Sequence, residues 1–559
     1  MIQSLMQEVP LTLNLVRERV VRLYRDKRVT TRYAKAIETA TYGQIVERSG
    51  RLAAALHDLG IRPGDRVATL AWNSQRHLEL YLAVPCMGAV LHTVNARLPA
   101  DGIAALLAHA GDSVLFVDRS LMAALRGLNL PPGLRQIVVM NDRVADDDRT
   151  DPELELPLLG YDDLLAGANA NFDWPELDER MPSGICYTSG TTGAPKGVVY
   201  SHRSTTLHTL ACLFADGIAM RERDVCMPVV PMFHANAWGF PYAAFMAGAS
   251  LALPCRQTDP ESLAALIQAS GVTMATAVPT VWLDFLQALR SGVIARDRIA
   301  TLRRIPMGGA AVGEPLIAGF ADFGIEVTHC WGMTEISPLG LVNVRKSALG
   351  EAAAADARST QGLPIPCCDL RTVAATGEEV PHDGATPGEL QIRSPWAADA
   401  YFDGDQPGNR SQEAAALEAF AVDGRGRRWL RTGDIATIDG HGYVRIVDRA
   451  KDLIKSGGEW ISSQALEAGI LEHPDVREAA VVGKPDPRWQ ERPVAFIALE
   501  EKGRIRNVKA VIAEVRHHLS SHFAKWQLPD EFVVVSALPK GNTGKVDKSA
   551  LRKGRHANE

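Results

Sequence analysis

Eleven consecutive residues, Tyr187-Thr-Ser-Gly-Thr-Thr-Gly-Ala-Pro-Lys-Gly197, carry three glycines, four Ser/Thr hydroxyls and one lysine. Glycine (Gly190, Gly193) lets backbone N–H groups approach phosphate oxygens, hydroxyls (Thr188, Ser189, Thr191, Thr192) add short donors or metal ligands, and Lys196 adds a mobile positive charge. The chemistry these residue types support is polyphosphate binding. A plain surface turn also uses Ser, Thr and Gly, but it explains neither the density of donors nor a lysine directly behind Pro195. The loop is not of the Walker A type, since no Gly-Lys-Ser/Thr triplet occurs in the chain. Far along the sequence, Gly541-Asn-Thr-Gly-Lys545 sets a second lysine in a Gly-bounded loop. A long cation delivered from such a loop can meet negative charge as it builds up in a reaction. Alone, Lys545 would be an ordinary surface lysine.

Three more segments complete an ordered set: Trp331-Gly-Met-Thr-Glu335, Arg431-Thr-Gly-Asp434 and Asp448-Arg-Ala-Lys-Asp-Leu-Ile-Lys-Ser-Gly-Gly-Glu459. Together with the two lysine loops they resemble the adenylate-forming superfamily, which comprises acyl-CoA synthetases, peptide-synthetase adenylation domains and luciferases. The resemblance spans nearly the whole chain. Trp72-Asn73, His77-Leu-Glu79, the segment from Gly88 to Leu98, and Pro231-Met-Phe-His-Ala-Asn-Ala-Trp238 are most similar to bacterial medium- or long-chain fatty acyl-CoA synthetases. Ala96 and Ala235 depart from the Pro and Val that relatives often carry there.

The resemblance implies ATP, Mg2+ and coenzyme A, and a reaction in two steps. A carboxylate first takes AMP from ATP with release of pyrophosphate, and a thiol then displaces AMP. Little covalent chemistry falls to such a protein, which positions anions and neutralises charge. By resemblance, the loop from Thr188 to Lys196 holds the β- and γ-phosphates, and Thr188 with Glu335 forms the magnesium ligand pair. Gly309, Ala310 and Ala311 form a small-residue wall for adenine, bordered by Trp331, Gly332, Met333 and Thr334. Asp434 accepts the ribose hydroxyls, and Arg449 and Lys455 reach the nucleotide. Lys545 and His234 serve the reacting carboxylate, Trp238 gates an acyl tunnel, Asp448 is a hinge, and Gly457-Gly458 shapes the path for coenzyme A. Several of these have plainer readings: Glu335 as a helix-start carboxylate, Asp434 as a turn residue, 309–311 as tight helix packing, and His234 and Trp238 as core.

The function implied is a medium- or long-chain fatty acid–CoA ligase. Within that chemistry the alternative is a CoA ligase for a short, branched or methylthio acid such as 3-(methylthio)propionate. An acyl-adenylating enzyme that loads a carrier protein is the alternative of another type. It would need a fused carrier, or an acid holding a substrate amine, and 231–238 offers none. A non-catalytic protein that kept the fold is the reading outside enzymology, and intact Lys196, Glu335, Asp434 and Lys545 argue against it.

Elements must hold these residues in place. Apolar spacing predicts a helix over 40–59, a strand over 66–71, a helix over 78–87, a strand over 90–94, a helix over 100–110 and a strand over 113–117, a rhythm of parallel sheets covered by helices. The run 429–447 reads as a hairpin around an Asp-Gly turn, and 448–559 carries its own helices (464–471, 509–521) and strands (476–482, 494–499, 531–535). The fold expected is α/β: a large body over 1–447, whose parallel sheets and distorted β-barrel come with the resemblance, and a small mobile α+β lid over 448–559. A chain of 559 residues demands several cores. With 60 Lys and Arg against 66 Asp and Glu, the net charge of −6 argues against a nucleic-acid partner. The apolar stretches 81–91 and 242–255 are too short to span a bilayer, and the N-terminus lacks a signal-peptide pattern. A cytoplasmic enzyme is expected, with at most transient membrane-surface contact. Eight scattered cysteines read as buried thiols. A homodimer exchanging residues 11–29 is one reading of that segment, and an ordinary buried helix is the other.

Overall fold

The structure is a computed structural model and describes residues 5–140, 152, 154, 156–169, 171–188, 196–404, 418–457, 459–500, 507–541 and 545–554. Two large sheets form the body. The seven-stranded one runs, edge to edge, through Leu158–Gly160, Gln136–Met140, Asp112–Asp118, Arg66–Leu70, Val90–Thr93, Pro182–Thr188 and Lys196–Ser201. All its pairings are parallel except the last, where Pro182–Thr188 meets Lys196–Ser201 as an antiparallel pair. Thr188 and Lys196 therefore stand opposite each other across the pair that opens and closes the phosphate loop. The nine-stranded sheet is parallel in its centre, and its strand Glu326–Gly332 delivers Trp331 and Gly332.

The helices follow from their caps and faces. Tyr42–Asp58 starts at a reciprocal capping box between Thr41 and Gln44 and buries Ile45, Leu52 and Leu56. Ala100–Ala110 lies where the spacing places it and ends at Gly111 in the left-handed region (φ 66°). Gln75–Cys86 begins three residues before the expected start. Ser74 caps it, and its polar first turn, Gln75, Arg76 and His77, is buried, which hides it from an apolar period. The helix Leu13–Leu23 buries Leu13, Val16 and Val20 against the body of its own chain, the ordinary buried-helix reading of 11–29. Of the cysteines, six are buried, Cys367 is exposed and Cys368 half-buried.

The part expected as a distorted barrel is a five-stranded antiparallel sheet that includes Asp369–Val373, Gly388–Arg393 and the long strand Arg428–Ile438. Its strand Val444–Arg449 pairs with Arg428–Ile438, so Asp448 lies inside the last strand of this sheet. Past it, the chain enters another five-stranded sheet built on the hairpin Val476–Asp486/Gln490–Leu499, with Glu531–Val535 added in parallel. The helices Ser463–Leu471 and Val508–Ser520 cover it with Leu466, Ile470, Val511, Val515 and Leu519. Mixed α/β architecture, a large N-terminal part and a small C-terminal one, is what the sequence pattern leads one to expect.

Candidate active site

Four elements converge on one spot. Gly309 ends the strand Arg304–Gly308 in the left-handed region, φ 83°. A methyl group placed on it would lie 3.6 Å from Lys545 Cε and 3.7 Å from Trp238 Cζ2. The lysine of the C-terminal part thus sits inside the body, beside the proposed gate. Burial, and then the positive charge of Arg449, pull the Lys545 ammonium down to about 8, with the Asp434 carboxylate opposing. His234 is held down to about 4, first by burial and then by Lys545 and Arg97. The His234 ring is therefore neutral at pH 7 and can donate one hydrogen bond and accept another there.

On the nucleotide side, Asp434 is buried and doubly held. Trp331 Nε1–H donates to its Oδ2 at 2.8 Å, and Arg449 Nε meets its Oδ1 at 2.6 Å. Burial raises the Asp434 pKa, while Arg449 and then the Trp331 N–H work in the opposite direction. Trp331 is itself packed into the apolar core of the antiparallel sheet, so it does not lie open as a plate. Ala310 and Ala311 are exposed beside Gly309, as a wall that awaits a flat ligand would be. Gly332 has no alternative: a Cβ there would stand 1.9 Å from Pro338 O.

Glu335 follows in a short turn, Thr334–Ile336, and is buried. Tyr401 Oη donates to its Oε1 at 2.8 Å, and Lys196 Nζ lies 4.8 Å from the centre of the Tyr401 ring. Burial raises the Glu335 pKa, opposed first by the Tyr401 hydroxyl. Thr188 and Glu335 are hard oxygen donors of the kind Mg2+ takes. Among the described residues no group of three or more His, Cys, Asp or Glu could hold a metal ion. A cation here would draw its remaining ligands from phosphate and water, which is the habit of Mg2+. The residues fit the ion.

The stretch after His234 has an unusual backbone. Ala235, Asn236, Ala237 and Trp238 have φ of 43°, 55°, 50° and 57°, and Gly239 continues at 75°. This is one turn of left-handed helix, a form that opposes L-residues by about 1–2 kcal/mol each. Its neighbours brace it. Asn73 Nδ2 donates to Pro228 O and Val230 O, and its Oδ1 accepts from Met232 N. Tyr81 Oη donates to Met232 O at 2.5 Å and lies 3.1 Å from Asn236 Oδ1. Gly239 is obligatory, because a Cβ would meet His208 Cε1 at 2.5 Å.

Asp448 is fully buried. Its Oδ2 accepts from Ser463 N and Oγ, both at 2.6 Å, at the N-terminus of the helix Ser463–Leu471, and its Oδ1 accepts from Arg449 N at 2.8 Å. Lys455 and Gly457 are not gathered here. Both are exposed on a hairpin of the C-terminal sheet, where Lys455 lies over Trp460 and Gly457 N donates to Trp489 O. Ser189, Gly190, Thr191, Thr192, Gly193 and Gly458 lie outside the described residues. Sequence reasoning missed Tyr401, whose surroundings, Ala-Ala-Asp-Ala-Tyr401, hold no donor-rich pattern, and it missed the left-handed turn.

Comparison with known proteins gives the family. Residues 17–402 match the AMP-binding enzyme family, and residues 465–545 match the AMP-binding enzyme C-terminal domain. A long-chain-fatty-acid–CoA ligase of Thermus thermophilus is 44% identical over 96% of this chain and 94% of its own. A 3-methylmercaptopropionyl-CoA ligase of Ruegeria pomeroyi is 43% identical over 92% of both. The crystal structure of an anthranilate CoA ligase with anthranoyl-AMP superposes at a TM-score of 0.82 over 98% of each chain, at 24% identity. With both family regions matched in order and relatives this similar along nearly its full length, the chain belongs to the AMP-binding enzyme family.

Proposed function

We propose that the chain is a fatty acid–CoA ligase acting on medium- or long-chain acids, with the adenylation site assembled as described. It is an ATP-dependent, AMP-forming acyl-CoA synthetase that uses ATP, Mg2+ and coenzyme A. The observation that carries the residue assignment is Lys545, half-buried against Gly309 and Trp238 although it comes from the C-terminal part. In that position its ammonium bridges the substrate carboxylate and the α-phosphate oxygens as charge shifts between them. Neutral His234 orients the acid, Lys196 holds the β- and γ-phosphates, and Asp434 takes the ribose hydroxyls. Thr188 and Glu335 hold Mg2+, which when bound supplies charge neutralisation at the phosphate oxygens. The attacking carboxylate oxygen forms a bond to the α-phosphorus, and the bond to pyrophosphate breaks.

The second step needs another arrangement. Lys455 and Gly457 stand exposed on the lid, beside Trp460 and Trp489, which supports a rotation that withdraws Lys545 and presents this face to the thiol. Asp448, bonded to both sides of the junction, is the proposed pivot, with the lid beginning there. The acid stays open between two readings, because a long-chain relative and a methylthio-acid relative are almost equally similar. ATP–pyrophosphate exchange over acids from acetate to long-chain, followed by a test of coenzyme A dependence, decides. Exchange confined to short or methylthio acids overturns the fatty-acid reading. Homodimerisation and transient membrane contact complete the proposal, and are tested by sedimentation and by flotation with liposomes.

A further inference from the structure

We propose that Tyr401 is a positioning residue for adenylation: its hydroxyl orients Glu335, and its ring face carries Lys196. The inference rests on the reading of Glu335 as a magnesium ligand and of Lys196 as a phosphate lysine. Two catalytic side chains from distant parts of the chain meet on this one phenol, through a 2.8 Å hydrogen bond to Glu335 Oε1 and a 4.8 Å approach of Lys196 Nζ to the ring centre.

The backbone around Tyr401 is tied to the same two segments. Ala398 N donates to Glu335 O at 2.7 Å, and Phe402 N donates to Gly197 O at 2.8 Å. The residues on either side of Tyr401 are thus pinned, one to the strand that closes the phosphate loop and one to the turn that bears the carboxylate. Tyr200 Oη, from that same strand, donates to Thr334 O at 2.8 Å and closes the figure. The ring of Phe420, 6.1 Å away and tilted, backs Tyr401 from the antiparallel sheet.

Each contact has its own consequence. A carboxylate held through one oxygen has the plane of its second oxygen set as well, so less order must be created when a cation arrives. A lysine resting on a π face keeps its charge near the phosphates, and the Glu335 carboxylate that feels this charge is itself tied to the Tyr401 hydroxyl.

The test separates the two contacts and their parent reading. Mn2+ stands in for Mg2+, and its affinity for the full-length enzyme–ATP complex is read by electron paramagnetic resonance; ATP binding in excess EDTA is read by calorimetry. Tyr401→Phe should weaken Mn2+ binding about tenfold and leave metal-free ATP binding unchanged, since the ring remains. Tyr401→Leu should weaken both. Glu335→Gln and Lys196→Ala are the controls, the first for the metal and the second for metal-free ATP. Wild-type Mn2+ affinity in Tyr401→Phe alongside a loss in Glu335→Gln overturns the role of the hydroxyl. Equal metal-free ATP binding in Tyr401→Leu and Tyr401→Phe overturns the role of the ring. If the two controls are themselves unaffected, the parent reading is what fails. Thermal unfolding checks each variant, and Tyr401→Met replaces the leucine variant if that one does not fold.

Discussion

In the proposed mechanism, Lys545 is the residue on which the division between the two half-reactions turns. Lys545→Ala should reduce adenylation by orders of magnitude while thioester formation from supplied acyl-AMP persists, and equal loss of both would contradict the assignment. Its proton gives a second measurement. The ammonium is the useful form, and in the free enzyme it is held near about 8. The kcat/KM for ATP should therefore fall as pH rises through about 8. Arg449 lowers this pKa through charge repulsion, so Arg449→Leu should move the alkaline limb to higher pH. A limb that stays in place, or moves down, removes Lys545 as its source. At this scale the donor-rich loop that ends at Lys196 was legible in composition, whereas Glu335, Asp434 and Lys545 could be named only through the resemblance of their short segments to a family. The pairing of Trp331 with Asp434 was not legible, because the partners are 103 residues apart and neither type is unusual in a turn.

Among the elements, the left-handed turn 235–238 is the one that no periodicity announces. Ala-Asn-Ala-Trp has the composition of ordinary helix, and only neighbours from other elements, Tyr81 and His208, make the opposite hand the better choice. The conventional elements fared better, because the strand Glu531–Val535 and the helix Ala100–Ala110 are set by local pattern and caps. The turn makes a stability prediction. Ala237→Gly should change unfolding free energy by less than ~0.5 kcal/mol, because glycine relieves the positive φ as it loosens the unfolded chain. Ala243→Gly, in the right-handed helix Phe240–Ala247, should cost about 1 kcal/mol or more. Equal losses in denaturant titrations would mean the turn carries no strain.

For the whole molecule, Asp448 is the proposed junction: it sits in the last strand of the antiparallel sheet while its carboxylate accepts from the first turn of the helix Ser463–Leu471. Asp448→Asn keeps the backbone free but weakens charged hydrogen bonds worth about 1.5–3 kcal/mol each. It should lower the unfolding temperature and depress both half-reactions in proportion. Asp448→Pro adds a fixed φ and should suppress acyl-CoA formation far more than pyrophosphate release. If both variants shift the ratio of half-reactions equally, Asp448 is a cap and not a pivot. The Mg2+ requirement belongs to this scale too, since the two proposed ligands, Thr188 and Glu335, are carried by separate sheets. Glu335→Gln should raise the Mg2+ concentration for half-maximal adenylation severalfold, and turnover that persists under complete chelation contradicts the metal site. The two-part layout was legible because the chain changes pattern near residue 448. The insertion of Lys545 into the body was implied only by the resemblance, because it is a relation between surfaces and no local pattern encodes it.

The handedness of the turn at 235–238 also bears on how an enzyme of this kind diversifies. Trimming a tunnel by side-chain substitution changes the accepted acid by small increments. Rotating one peptide in a turn that already leans against its preferred hand re-aims the whole indole of Trp238 at once. New acid preferences should therefore arise by jumps as well as by drift. A random library selected for growth on an unaccustomed acid should be enriched at 235–237, residues that need touch no substrate. Winners confined to larger-for-smaller exchanges elsewhere would show that this lineage has no such shortcut.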